Sequence, residues 1–285
     1  MRKMRTCISQ SCTLSSSFEE DVAGYSEGGC QAMEVWLTKL EKHLEARSAG
    51  DTKKLLEDRQ MTLAAASYQG GLLLSQGEQR RAHFDHFKRR LDLCQHFGIG
   101  TMLITPDFVE KVDQQSLERA VVSLTEAARW AAAFNVTLAL EPRGKATFCA
   151  CVDSALALAR ASGEPNVGIC LDVFHYYTGP SKFEDLALLD RASLAYVQVS
   201  DLAGVPRELA TDADRILPGE GDFQLGPIVE QLKAIGYEGW VSLEMLNPTL
   251  WQVKPGQLAE LGQGALDRLL GKSPNRAGAL LGATL

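Results

Sequence analysis

The feature that most constrains this chain is a repeated change of hydrophobic period. Eight short, apolar, β-branched runs have the length of buried strands: "RTCIS" (5–9), "AMEVWL" (32–37), "MTLAAAS" (61–67), "TMLIT" (101–105), "VTLALEP" (136–142), "VGICLDVFH" (167–175), "LAYVQVSD" (194–201) and "GWVSLEML" (239–246). Segments of helical period lie between them, among them "QRRAHFDHFKRRLDLCQHFG", "SLERAVVSLTEAARWAAAFN", "CVDSALALARASG" and "LGPIVEQLKAIG". Three of these four end on Gly, as helix C-termini commonly do. Eight strands alternating with helices predict a single closed (β/α)8 TIM barrel over residues 1–270. An open doubly wound sheet competes, but no G-x-G-x-x-G follows the first strand. The charged segment 38–60 reads as a solvated helix plus loop, and 271–285, "GKSPNRAGALLGATL", as a C-terminal tail.

Composition narrows the function classes. The chain has 285 residues, 45% of them hydrophobic, enough for a sizeable core. Its net charge of −7, with both signs mixed along the chain, lacks the basic stripe of a nucleic-acid binder. No run approaches the roughly 18 apolar residues of a membrane span, and "MRKMRTCISQ" is not followed by the apolar stretch of a secretory signal. Seven irregularly spaced cysteines fit reduced thiols in a cytoplasm. Cys149 and Cys151 lack the second half of a metal site and read as structural. These features point to a cytoplasmic protein with a small-molecule partner, and they leave a homo-oligomer open.

In such a barrel all strand C-termini share one face, and chemistry sits there. Four polar residues interrupt the apolar runs near that end of four successive strands: Glu141 in "LALEP", Asp172 in "ICLDVFH", Gln198 in "AYVQVSDL" and Glu244 in "VSLEML". A lone acid at a strand end caps a helix or pairs with a base. Three acids on one rim repel one another severely unless a cation lies among them. An arginine relieves part of that repulsion; a divalent ion relieves more. Three carboxylates and an amide oxygen suit one hard ion, Mn²⁺ or Mg²⁺, better than Zn²⁺ or Co²⁺. Gln198 is open to two readings. A buried amide without partners costs roughly 1–3 kcal/mol, so it either bonds to protein neighbours or binds something.

At these residues the chain resembles the xylose isomerase-like TIM-barrel superfamily of sugar (phosphate) isomerases and epimerases, which includes inosose isomerases and tagatose-3-epimerase-like enzymes. The similarity runs from the first strand to about residue 270 and is strongest over 137–251, carried by "LALEP", "LDVFH", "PRELATDADRILPGEGDF" and "SLEMLNPTLW". The resemblance implies that Glu141, Asp172, the strand-seven residue and Glu244 are metal ligands. Gln198 stands where most of these families carry His. Gln is found there in a subset that includes bacterial 3-dehydroshikimate dehydratases. His175 matches the family's D-x-x-H, which implies a bond to a substrate hydroxyl or to a ligand carboxylate. One of Arg207 and Arg215 is expected to reach substrate oxygens. Arg143 and Lys145 read as loop charges or as attractors of an anionic group, His83 and His86 as surface residues, Asp222 as the N-cap of the next helix, and Glu220 as open to facing the pocket.

The expected activity is isomerisation or epimerisation of a keto-sugar, inosose or sugar phosphate. Glu141 and Glu244 would move a proton at the carbon next to a carbonyl, with the metal stabilising the enediolate charge. The alternative is a lyase of the 3-dehydroshikimate dehydratase type, using the same abstraction to expel a hydroxyl. An abasic-site endonuclease of this fold needs several strand-end histidines, and here only His175 qualifies. A non-catalytic sugar-binding barrel fits poorly with intact acids at both Glu141 and Glu244.

Overall fold

The computed structural model describes residues 4–272. Eight parallel strands close into one barrel: β1 (Arg5–Ser9), β2 (Ala32–Trp36), β3 (Thr62–Gln69), β4 (Thr101–Ile104), β5 (Thr137–Leu140), β6 (Val167–Asp172), β7 (Leu194–Val199) and β8 (Trp240–Leu243). Closure is direct, with Ile8 of β1 in register with Leu243 of β8. Around it lie α1 (Phe18–Glu27), α2 (Leu37–Leu44), α3 (Ala49–Asp58), α4 (Gly77–Phe97), α5 (Gln114–Ala133), α6 (Val152–Ser162), α7 (Val173–Thr178), α8 (Leu225–Ala234) and α9 (Pro255–Leu270). The (β/α)8 expectation therefore holds. Among the described residues no helix is long and apolar enough to cross a membrane.

Local chemistry explains several boundaries. Ser17 and Glu20 form a reciprocal capping box that starts α1. Gly98, Gly163 and Gly271 end α4, α6 and α9 in left-handed geometry, where a side chain would be strained. Alanines and cysteines with Leu103 and Tyr196 fill the barrel's narrow interior, while the larger cluster lies between strands and helices. The cysteines carry free thiols, all buried except the half-buried Cys151.

Three expectations change. The charged segment 38–60 forms two helices, α2 and α3, each burying a leucine toward the barrel. The run read as one strand over 167–175 stops at Asp172, whose carboxylate accepts from the backbone N–H of Phe174 and caps α7. Asp222 does not cap α8; its backbone N–H donates to the carbonyl of Leu202, and α8 starts after Gln224. The expected tail beyond Lys272 lies outside the described residues.

Candidate metal and substrate site

Chain direction and ladder geometry deliver the acids to one end of the barrel. Glu141 and Glu244 each sit one residue past a strand, and each continues the ladder: Glu141 N–H donates to Ile104 and Glu244 N–H to Val199. Asp172 is the last residue of β6. All three side chains are buried. The α7 turn sets His175 three residues after Asp172, on the same helical face, with its Nε2 3.6 Å from Asp172 Oδ2 and 3.5 Å from Glu141 Oε1. One potential ligand atom each from Glu141, Asp172 and His175 lies within 4.8 Å of the others. Two glycines let the loop after β5 pack closely against the end of α7. A Cβ on Gly144 would come within 2.9 Å of Gly179 Cα and 3.1 Å of the His175 carbonyl.

Arg215 lies at the centre, fully buried. Its guanidinium forks onto Asp172, with Nη2–Oδ2 at 2.7 Å and Nη1–Oδ1 at 3.1 Å. It also donates to Asp212 Oδ1 at 2.7 Å, lies 3.3 Å from Glu244 Oε2 and stacks 4.3 Å above the Phe174 ring. Asp201 explains how a loop residue reaches this depth. Its carboxylate accepts from the backbone N–H groups of Leu202, Gly219 and Phe223, and its backbone pairs with Ile216 on either side. The loop after β7 is thereby tied at both ends, and Arg215 is folded inward.

The sequence reading missed Asp212 and underrated Arg143. Arg143 bridges Glu141 at 2.9 Å and Asp212 at 3.3 Å, so it is part of the site and not a loop charge. Lys145 donates to the carbonyl of Ala210. Arg207 is exposed, donates to the carbonyl of Tyr177, and is not among the guanidiniums bonded to these acids. Glu220 is exposed on the loop. His83 and His86 are half-buried and hydrogen-bonded: His83 Nδ1 lies 2.8 Å from the Gly71 carbonyl, and His86 Nε2 2.8 Å from Glu41.

Electrostatics follow from burial and pairing. Burial pushes the Glu141 carboxyl up to about 7, against the pull of Arg143. Burial likewise drives Glu244 well above the carboxylate range, against Arg215. Asp212 is also raised by burial, but Arg215 and Arg143 outweigh that and hold it below its ordinary value. Burial, with the guanidiniums of Arg143 and Arg215, holds His175 well below the usual imidazole range, so it is neutral. Four carboxylates (Glu141, Asp172, Asp212, Glu244) thus share two guanidiniums. Glu244 Oε2, although close to Arg215, accepts no hydrogen bond. Close carboxylates, a neutral imidazole and a buried oxygen with no donor fit a divalent ion.

Gln198 is level with Asp172 in the sheet and fully buried. Both ends of its amide have protein partners: Nε2 donates to Glu34 Oε1 at 3.0 Å, and Oε1 lies 3.2 Å from the Cys170 thiol. Glu34 is a further buried acid that the sequence reading passed over inside "AMEVWL".

Comparison with known proteins agrees with this architecture. An inosose isomerase of Bacillus velezensis is 23% identical, over 94% of this chain and 98% of its own. A crystal structure of IOLI protein with a bound zinc atom superposes with a TM-score of 0.88 at 22% identity, covering 94% of this chain and 98% of the other. The D-psicose 3-epimerase of Clostridium cellulolyticum, solved with D-tagatose, gives 0.74 at 18% identity, covering 95% of this chain and all of its own. The family model for xylose isomerase-like TIM barrels matches residues 23–269, and the chain belongs to that family.

Proposed function

We propose that this protein is a divalent-metal-dependent isomerase or epimerase of a keto-sugar, an inosose or a sugar phosphate. The observation that carries the reading is the charge imbalance at the strand ends. Four carboxylates face two guanidiniums, which leaves two negative charges when all are ionised. A divalent ion balances that excess. Glu141, Asp172 and Glu244 would hold it, with the Gln198 amide oxygen as a fourth ligand. His175 nitrogen sits close enough to join them, which brings Zn²⁺ and Co²⁺ into contention with Mn²⁺ and Mg²⁺. When bound, the ion supplies stabilisation of negative charge developing on a carbonyl oxygen.

The chain's own residues do the rest. Glu141 or Glu244 takes the proton from the carbon next to the carbonyl, and the other returns one. Return to the opposite face of the same carbon is epimerisation, and return to the neighbouring carbon is isomerisation. A carboxyl raised to about 7 suits Glu141 to hold and release a proton near neutral pH. Neutral His175 can accept or donate a bond to a substrate hydroxyl, while Arg215, whose N–H groups already face Asp172, Asp212 and Ser200, holds the acids in place. The test is NMR in D₂O with a panel of ketoses, inososes, their phosphates and dehydroshikimate, in the presence of Mn²⁺. Exchange of one C–H proton is expected even without net conversion. Appearance of an aromatic, ultraviolet-absorbing product from dehydroshikimate would transfer the reading to a lyase, and no exchange anywhere in the panel would remove it.

A further inference from the structure

Glu34 is fully buried at the middle of β2, directly beside Ser9 in the ladder. Its Oε1 accepts two hydrogen bonds at 3.0 Å, from Ser9 Oγ and from Gln198 Nε2. Its Oε2 accepts none, although it is buried. An apolar side chain of similar length would fill this place without the cost of burying a carboxyl. Packing alone therefore gives no reason for the acid.

The two ends of a primary amide differ only in which atom donates and which accepts, so its partners decide which way it faces. An acceptor at one end of Gln198 directs the NH₂ there and turns the oxygen the other way. That oxygen meets the Cys170 thiol, a weak donor that uses one of its two lone pairs. The second lone pair remains for another partner. Gln198 is paired in the sheet with Asp172, one of the carboxylates at the site.

We infer that Glu34 is a positioning residue for Gln198: by accepting from Nε2 across the barrel, it makes the oxygen end of the amide the one offered to a cation at Asp172. This rests on the metal reading proposed above. Outer partners of this kind commonly set ligand orientation, and removing one weakens metal binding by about 10–100-fold.

The experiment is a Mn²⁺ titration followed by electron paramagnetic resonance of the free ion, on the wild type, Glu34→Gln, Gln198→Leu and the double variant. Glu34→Gln keeps the size but can donate as well as accept, so it no longer dictates which end of Gln198 faces it. Mn²⁺ binding is expected to weaken by about 10–100-fold in Glu34→Gln. In the Gln198→Leu background the same change should have no further effect, because Glu34 acts through that amide. Should Glu34→Gln fail to fold, Glu34→Met serves as the apolar counterpart. Wild-type Mn²⁺ affinity in the Glu34 variant overturns the inference, and so does an equal loss in both backgrounds. Absence of Mn²⁺ binding by the wild type is a different result, which overturns the metal reading and the inference with it.

Discussion

Two buried carboxylate–cation pairs occupy the same end of the barrel and are built on opposite principles. In the first, Asp21 of α1 meets Lys39 of α2. Neutral groups support this pair: Gln10 donates to Asp21 Oδ2 at 2.7 Å, and Lys39 donates to the Thr13 carbonyl at 2.7 Å, while Asp21 Oδ1 has no hydrogen-bond partner. One acid faces one cation, and the cluster clamps two helices to the end of β1. In the second, Arg215 meets Asp172, but Asp212, Glu244 and, through Arg143, Glu141 crowd the same space. A self-neutralised pair holds the fold together. An over-acidic one leaves a demand for positive charge unmet, and that separates the candidate binding site from a structural clamp.

The largest test of the contrast is on activity. Glu141→Gln and Glu244→Gln should each lower proton exchange in the D₂O assay by about 10²–10⁴-fold, the usual cost of losing a general base. Wild-type exchange in either variant would take that residue out of the chemistry. Asp21→Asn should leave exchange per folded molecule near the wild-type level, since it touches only the clamp.

Next in size are the cations. Removing one partner of a buried pair costs about 3–5 kcal/mol, so Arg215→Ala and Lys39→Ala should both lose stability in urea with chelator present. The two should part company when Mn²⁺ is added. Arg215→Ala is expected to gain more stability from the ion than the wild type does, because the ion replaces a missing counter-charge. Lys39→Ala should gain no more than the wild type. Identical Mn²⁺ gains in the two variants would erase the distinction.

The smallest effect concerns pH and sharpens the description of the clamp. Burial raises the Asp21 carboxyl to about 6, against the pull of Lys39, whereas in the unfolded chain it titrates near 3.9. A raised folded pKa contributes stability that is fully present below the unfolded value and is lost as pH rises through the folded one. Wild-type stability relative to Asp21→Asn should therefore fall between about pH 4 and pH 7, by about 2–3 kcal/mol at most. Denaturation at successive pH values checks this. A flat difference would mean that Asp21 is as ionised in the fold as in the unfolded chain.

Much of the site was legible in the sequence, for a physical reason. Parallel strands carry their direction in the chain, so an acid at the end of an apolar run must lie on the face where the strands end. Glu141, Asp172 and Glu244 follow from that rule alone. Glu34 also interrupts an apolar run, "AMEVWL", a signal as plain as that of Gln198, but it lies in the middle of a strand and in the other half of the barrel from the acids. Asp212 carried no such signal. It is one of three acids in "ELATDAD", and only the fold of the loop selects it.

The sequence by itself determined the alternation of strand and helix, hence the barrel, and the three acids at its mouth, because period and direction are local properties of a chain. Tertiary structure alone decided what those acids meet. Arg215 is buried because Asp201 ties down the loop that carries it, and Gln198 faces Glu34 because closure brings residues 164 apart in the chain to opposite walls of one narrow interior. Contacts of that kind depend on how distant segments are held in space, and no local period records them.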